Sequence, residues 1–134
     1  MNSFKQHTRE EKMQAFGRLL DIQDRLRKEC PWDRKQTNES LRPNTIEEVY
    51  ELCDALMKSD DKEICKELGD VMEHVVFYAL LGAEKESFDI TDVCDKLSHK
   101  LMFRHSFIDW TGWEGDPKAE LTDAPTDSTE VEMT

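Results

Sequence analysis

Apolar residues recur three and four positions apart through most of this chain, the spacing of helices with one water-avoiding face. No stretch keeps the strict alternation of a strand. Thr8 and Glu11 form a capping box that opens a first helix over about residues 8–28, with Met13, Phe16, Leu19, Leu20 and Leu26 as its stripe. The run Cys30-Pro31-Trp32-Asp33 breaks that helix, and a loop is expected as far as Pro43. Thr45 and Glu48 form another capping box, predicting a second helix whose apolar face is Ile46, Val49, Tyr50, Cys53, Leu56 and Met57. Polar residues 58–61 then turn the chain, and Asp60 caps a third helix to about residue 85, with Ile64, Leu68, Val71, Val75 and Ala79 facing inward. After a connection at residues 87–90, a fourth helix starts near Thr91 and carries Val93, Cys94, Leu97 and Leu101. The pattern predicts an all-α architecture resembling a four-helix bundle.

The 134 residues are enough for one domain with a modest core. Thirty acidic against eighteen basic residues give a formal net charge of −12, the wrong sign for gripping nucleic acid or an anionic membrane. No apolar run is long enough to span a bilayer and no signal-peptide pattern is present, so a cytoplasmic location is expected. Cys30, Cys53, Cys65 and Cys94 stand far apart, without a metal-ligand spacing, and read as reduced, mostly buried thiols. From Asp109 onward eight acids face one lysine, with two of the four prolines and few apolar residues after Trp113. That composition predicts a domain over residues 1–108 and a divergent, disordered acidic tail over 109–134.

Charge changes the picture most at two clusters, Glu47-Glu48-Val49-Tyr50-Glu51 and Glu67-Leu68-Gly69-Asp70. Each places carboxylates three apart on one helix face, where like charges repel. At about 100° per residue, Glu48 and Glu51 lie roughly 60° apart beside their apolar stripe. Glu63, Glu67, Asp70 and His74 form one row bordering Ile64, Leu68 and Val71. Acids at the edge of a core are costly unless paired or coordinated. Two readings follow: exposed acidic faces, or a site for a hard divalent cation, Mg²⁺ first and Mn²⁺ as its substitute. Gly69, inside a helix, suggests close packing or ligand approach between Glu67 and Asp70. An EF-hand loop, the Glu-x-x-His pairs of di-iron bundles, a P-loop and a Rossmann fingerprint are all missing. Lys96, Lys100 and Arg104 make a basic stripe on the fourth helix, suited either to salt bridges or to phosphate oxygens.

Taken in order, Cys30-Pro31-Trp32-Asp33, Gln36-Thr37, Leu41, Pro43, the E-E-x-x-E of Glu47 to Glu51 and the E-x-x-D of Glu67 to Asp70 resemble the MazG family. These are nucleotide pyrophosphohydrolases of the all-α NTP pyrophosphatase superfamily. Val75-Val76-Phe77-Tyr78-Ala79, Phe88-Asp89 and Lys100 to His105 continue the match in one register. The resemblance implies a tightly dimerising helical bundle, as a homodimer or a dimer of dimers. It also implies hydrolysis of nucleoside triphosphates to a nucleoside monophosphate and pyrophosphate.

By position, the resemblance makes Glu48, Glu51, Glu67 and Asp70 ligands of Mg²⁺, and Lys100 and Arg104 contacts of the substrate. Asn44 would border the nucleotide, where the family more usually has tyrosine. Glu47 or Glu63 would be the carboxylate that orients or deprotonates the attacking water. His74 is expected to be packed near the site rather than to ligate, and Trp32 to anchor its loop. After Arg104-His105 the chain departs from the family's usual continuation, so Trp113 has no secure counterpart. A rival reading follows from that departure, a catalytically silent helical dimer acting as a nucleotide-binding or protein-interaction module.

Overall fold

The computed structural model describes residues 3–113; most of the acidic tail, and with it the expected disorder, lies outside the described residues. The chain is all-α, and no strand occurs among the described residues. Helices α1 (Arg9–Glu29), α2 (Pro31–Arg34), α3 (Asn38–Lys58), α4 (Asp61–Glu84) and α5 (Ile90–Arg104) follow in order. They fall into two compact units, residues 1–81 and 82–134.

Helix α1 starts where its capping box predicts. The Glu11 amide donates to Thr8 Oγ1 at 3.1 Å, and the Thr8 amide donates to Glu11 Oε1 at 2.8 Å. It stops at Cys30, which is extended (φ −96°, ψ 121°) because the ring of Pro31 disfavours a helical residue before it. Pro31 then fits the first turn of α2, where its missing N–H has no partner to lose.

The expected loop to Pro43 is not there. Thr37 caps α3 with Ser40, whose amide donates to Thr37 Oγ1 at 3.1 Å while Ser40 Oγ accepts from the Thr37 amide at 2.8 Å. Serine does here what a glutamate usually does in a capping box, so the start of α3 is hidden from a search for S/T-x-x-E. Helix α3 therefore runs through Pro43, losing only that residue's own amide bond. Thr45, expected as a cap, lies inside the helix and donates its hydroxyl to the Leu41 carbonyl at 3.1 Å.

At its C-terminus α3 closes with Ser59 in the left-handed region (φ 54°), and Asp60 caps α4 by accepting from the Glu63 amide at 3.2 Å. This short connection makes α3 and α4 an antiparallel hairpin. Leu41 meets Phe77 and Leu81, Thr45 meets His74 and Tyr78, and Glu48 meets Asp70 and Glu67, in opposite order along the two helices. The core of this unit is Leu41, Phe77 and Leu81, with Tyr78 against them. Arg27 ties α1 in, its guanidinium 5.8 Å above the Phe77 ring and donating to the carbonyls of Asp33 (2.6 Å) and Gln36 (3.2 Å).

The inward face expected of α4 is only partly inward. Ala79 is buried, but Leu68 and Val75 are 51 % and 43 % exposed. The apolar face of α3 is also open, with Tyr50 72 % and Met57 85 % exposed. Contrary to the burial expected of the cysteines, Cys53, Cys65 and Cys94 are exposed free thiols and Cys30 is half-buried; Cys53 and Cys94 lie on apolar stripes that this chain leaves uncovered. None of the described helices is long and apolar enough to cross a membrane.

In the second unit, Asp89 caps α5 by accepting from the amides of Thr91 and Asp92. The Phe88 ring lies against Gly82, where a Cβ would come within 2.5 Å of it. Residues 109–113, the first of the predicted tail, form turns in which the Trp110 indole donates to the His105 carbonyl at 3.0 Å and stands edge-on to Trp113. Gly69 differs from Gly82: nothing lies within 4 Å of a Cβ placed there, so packing within this chain does not explain it. Gly82→Ala should destabilise the protein by about 1–3 kcal/mol through overpacking, whereas Gly69→Ala should stabilise it by about 1 kcal/mol. Urea denaturation of the two variants tests both signs.

Candidate functional site

The α3–α4 hairpin brings three carboxylates to one place, one from α3 and two from α4. Glu48 comes from the middle of α3, and Glu67 and Asp70 from adjacent turns of α4; one oxygen of each lies within 4.8 Å of the others. Among the described residues this is the one group of three potential metal-ligating side chains so arranged. Glu67 is 5 % exposed, and its Oε1 is buried without a hydrogen-bond partner; Glu48 Oε1 is in the same condition.

Two ionised carboxylates at that separation repel by about 3 kcal/mol at an effective dielectric constant near 20. Lys66 offers partial relief, with its ammonium 3.1 Å from Glu67 Oε2 and 3.5 Å from Asp70 Oδ2. Its side chain is 61 % exposed, and pairs of that kind contribute about 0–1 kcal/mol. Lys66 therefore does not balance the cluster. The surplus appears at Glu48, whose carboxyl titrates above its ordinary range; burial is the larger cause, followed by the charges of Glu51, Asp70 and Glu67, with His74 pulling the other way. An all-oxygen, electron-rich donor set with orphaned buried oxygens suits a hard divalent cation.

The remaining predicted residues lie around this cluster or on α5. Glu51 is outside the close group and lines a groove of about 470 Å³ together with Asp54, Lys58, Glu63 and Glu67. Glu63 thus shares a wall with Glu67, whereas Glu47 and Asn44 are exposed on α3. Lys100 and Arg104 belong to the second unit; four residues apart, they share one face of α5, both half-buried, and Arg104 Nε is buried without a partner. Trp32 is 52 % exposed in α2, and its carbonyl accepts from the Gln36 side-chain amide at 2.9 Å.

Two features of the site are not apparent from the sequence pattern, Lys66 and the setting of Thr45. Lys66 adjoins the acid row, and its sequence position alone does not show that its ammonium reaches both Glu67 and Asp70. The Thr45-x-x-Glu48 spacing reads as a helix cap at Thr45. Its true setting, between His74 and Tyr78, was detectable only as a spacing: Thr45 lies one turn from Glu48 on α3, as His74 does from Asp70 on α4.

The MazG nucleotide pyrophosphohydrolase domain matches residues 36–108, a stretch that contains both acidic clusters and the whole of α5. The chain belongs to the MazG family. It is 42 % identical over 99 residues to the nucleoside triphosphate pyrophosphohydrolase of Escherichia coli strain K12, a match covering 72 % of this chain and 38 % of that protein. It is 45 % identical over 95 residues to the nucleoside triphosphate pyrophosphohydrolase/pyrophosphatase MazG of Thermotoga maritima, covering 69 % and 37 %. The nucleoside triphosphate pyrophosphohydrolase of Mycobacterium tuberculosis strain H37Rv is 40 % identical over 93 residues, covering 66 % and 29 %. The match thus spans well under half the length of each of these relatives.

The raised Glu48 carboxyl gives this MazG domain a signed pH dependence when free of metal. A group titrating higher in the folded than in the unfolded state contributes stability that is full below the unfolded value, near 4.5. That contribution disappears as pH rises through the folded value. Metal-free protein should therefore lose stability above pH 4.5 across the Glu48 titration, and Glu48→Gln should flatten the loss and raise the melting temperature at pH 7. Thermal melts in chelator across that range measure it.

Proposed function

We propose that this chain is a Mg²⁺-dependent nucleoside triphosphate pyrophosphohydrolase, cleaving between the α- and β-phosphates to give a nucleoside monophosphate and pyrophosphate. The observation that carries this reading is the trio Glu48, Glu67 and Asp70, with two buried oxygens left unbonded. Membership of the MazG family and the names of its relatives supply the reaction.

Glu48, Glu67 and Asp70, with Glu51 from the next turn of α3, would hold Mg²⁺. The ion, for which Mn²⁺ would substitute, supplies charge neutralisation of the triphosphate and Lewis acidity toward the attacked phosphorus. Lys100 and Arg104 would bind the departing pyrophosphate, Arg as a planar fork and Lys as a point charge, stabilising charge that grows as the bond breaks. Arg104 Nε, buried and unpaired, is a donor available for that contact. Glu47 and Glu63 are the candidates to hold the attacking water and take its proton. The groove shared with Glu67 favours Glu63. Asn44, one turn before Glu48 on α3, would border the nucleotide.

Catalytic function is assigned to residues 1–108, with 109–134 as an appended acidic segment. The uncovered apolar residues Ile46, Val49 and Tyr50 on α3, beside Leu68 and Val75 on α4, support a homodimer in which a second copy covers them, and dimers of dimers on the same principle. The acidic charge and the helices' polarity support a cytoplasmic protein that engages neither nucleic acid nor membrane.

Purified protein with Mg²⁺ and a panel of NTPs and dNTPs should release pyrophosphate first; orthophosphate as the only initial product would overturn the assignment. Glu67→Ala should lower turnover by about 10³-fold or more while keeping its helical circular dichroism. Lys100→Ala and Arg104→Ala should each lower kcat/KM by about 10–100-fold, the equivalent of roughly 1.4–2.8 kcal/mol in transition-state binding. Nucleotide binding in calorimetry without any turnover would instead select the silent interaction module.

A further inference from the structure

One hydroxyl at the α3–α4 contact serves three partners. Thr45 Oγ1 lies 3.1 Å from the Leu41 carbonyl, 2.6 Å from His74 Nδ1 and 2.5 Å from the Tyr78 hydroxyl, all partly buried. A threonine hydroxyl has one proton and two lone pairs, and a backbone carbonyl can only accept. All three contacts are hydrogen bonds in one arrangement alone. Thr45 donates to the Leu41 carbonyl, and its lone pairs accept from His74 Nδ1–H and from the Tyr78 hydroxyl. His74 Nδ1 therefore carries a hydrogen toward Thr45, and whenever the ring is neutral this selects the Nδ1–H tautomer, with Nε2 as its acceptor.

The placement gives this network a task. Thr45 precedes Glu48 by one turn of α3, and His74 follows Asp70 by one turn of α4. The carboxylates push the two helices apart where they face each other, and Glu48 Oε1 has no bond to hold it. Both cross-helix bonds of Thr45 act one turn away against that repulsion. Its bond to Leu41 points its lone pairs across the contact rather than along its own helix.

We propose that Thr45, with His74 and Tyr78, is a latch that holds Glu48 opposite Glu67 and Asp70 in the geometry a divalent cation needs. These three are positioning residues, and the proposal rests on the cation-binding reading of the site. Its chemistry is that of hydrogen-bonded partners behind metal ligands, which hold the ligands in place before the ion arrives.

Three variants and two readouts test it. Thr45→Val keeps the shape of the side chain and removes all three bonds, Thr45→Ser keeps the hydroxyl, and Tyr78→Phe removes one bond. Mn²⁺ affinity, read by electron paramagnetic resonance without nucleotide, should fall about tenfold or more in Thr45→Val, recover in Thr45→Ser, and fall less in Tyr78→Phe. Long-range ¹H–¹⁵N spectra should show His74 as the Nδ1–H tautomer in the wild type and in Thr45→Ser, and a mixture in Thr45→Val. Should Thr45→Val fail to fold, an unchanged affinity in Tyr78→Phe overturns the latch. Equal affinity in folded Thr45→Val and wild type, or an Nε2–H tautomer in the wild type, overturns it as well. A wild type that binds no divalent cation overturns the site itself, an outcome distinct from loss of the latch alone.

Discussion

Repulsion among Glu48, Glu67 and Asp70 is the constraint around which the first unit of this protein is arranged. Three carboxylates within 4.8 Å of one another would separate in a loose hairpin. They stay together because α3 and α4 are joined by a two-residue turn at one end and packed through Leu41, Phe77 and Leu81 at the other. Burial of the Phe77 and Leu41 side chains, each worth about 1.5–3 kcal/mol, is of the size needed to oppose one such repulsion. The cluster is therefore a destabilised feature held by apolar packing and cross-helix hydrogen bonds. In the proposed cation site, a bound divalent ion would relieve that repulsion.

The same hairpin explains why the helices look polar on one side and greasy on another. Ile46, Val49 and Tyr50 on α3 and Leu68 and Val75 on α4 continue the apolar stripes but are exposed in a single chain. The apolar stripes of α3 and α4 thus include positions covered within the chain and positions left open to solvent. The periodicity of apolar residues records both without separating them, because a side chain destined for an interface and one destined for the interior have the same hydrophobic character. Leu68 and Val75 show this: their spacing reads as inward, yet both are exposed in the single chain.

Caps were read well where a charged partner announces them and poorly where it does not. Thr8 with Glu11 and Asp60 at the head of α4 both appear as their spacing predicts, whereas the Asp89 cap of α5 has no counterpart in the sequence reading. Thr37 with Ser40 does the same work using a hydroxyl, and Thr45-x-x-Glu48 has the right letters in the wrong place. Pro43 reinforced the error, since proline is more often a boundary than a resident of a helix. The consequence was functional as well as architectural. Treated as a cap, Thr45 had its hydroxyl spent on its own helix; inside α3 that hydroxyl reaches His74 and Tyr78.

The helical class, the order of the four long helices and the acidic pairs on facing turns were all legible in the amino-acid sequence, because they depend on local spacing. A 3.6-residue repeat and a cap act over one or two turns, and nothing distant changes them. Which three of the four expected metal-ligand carboxylates converge most closely was not local information. Neither was the exposure of Cys53, nor the partner of Thr45. Those depend on the register in which α3 lies against α4, set by how Leu41, Phe77 and Leu81 fill their shared space, and a register error of one residue would rotate every one of them to another face.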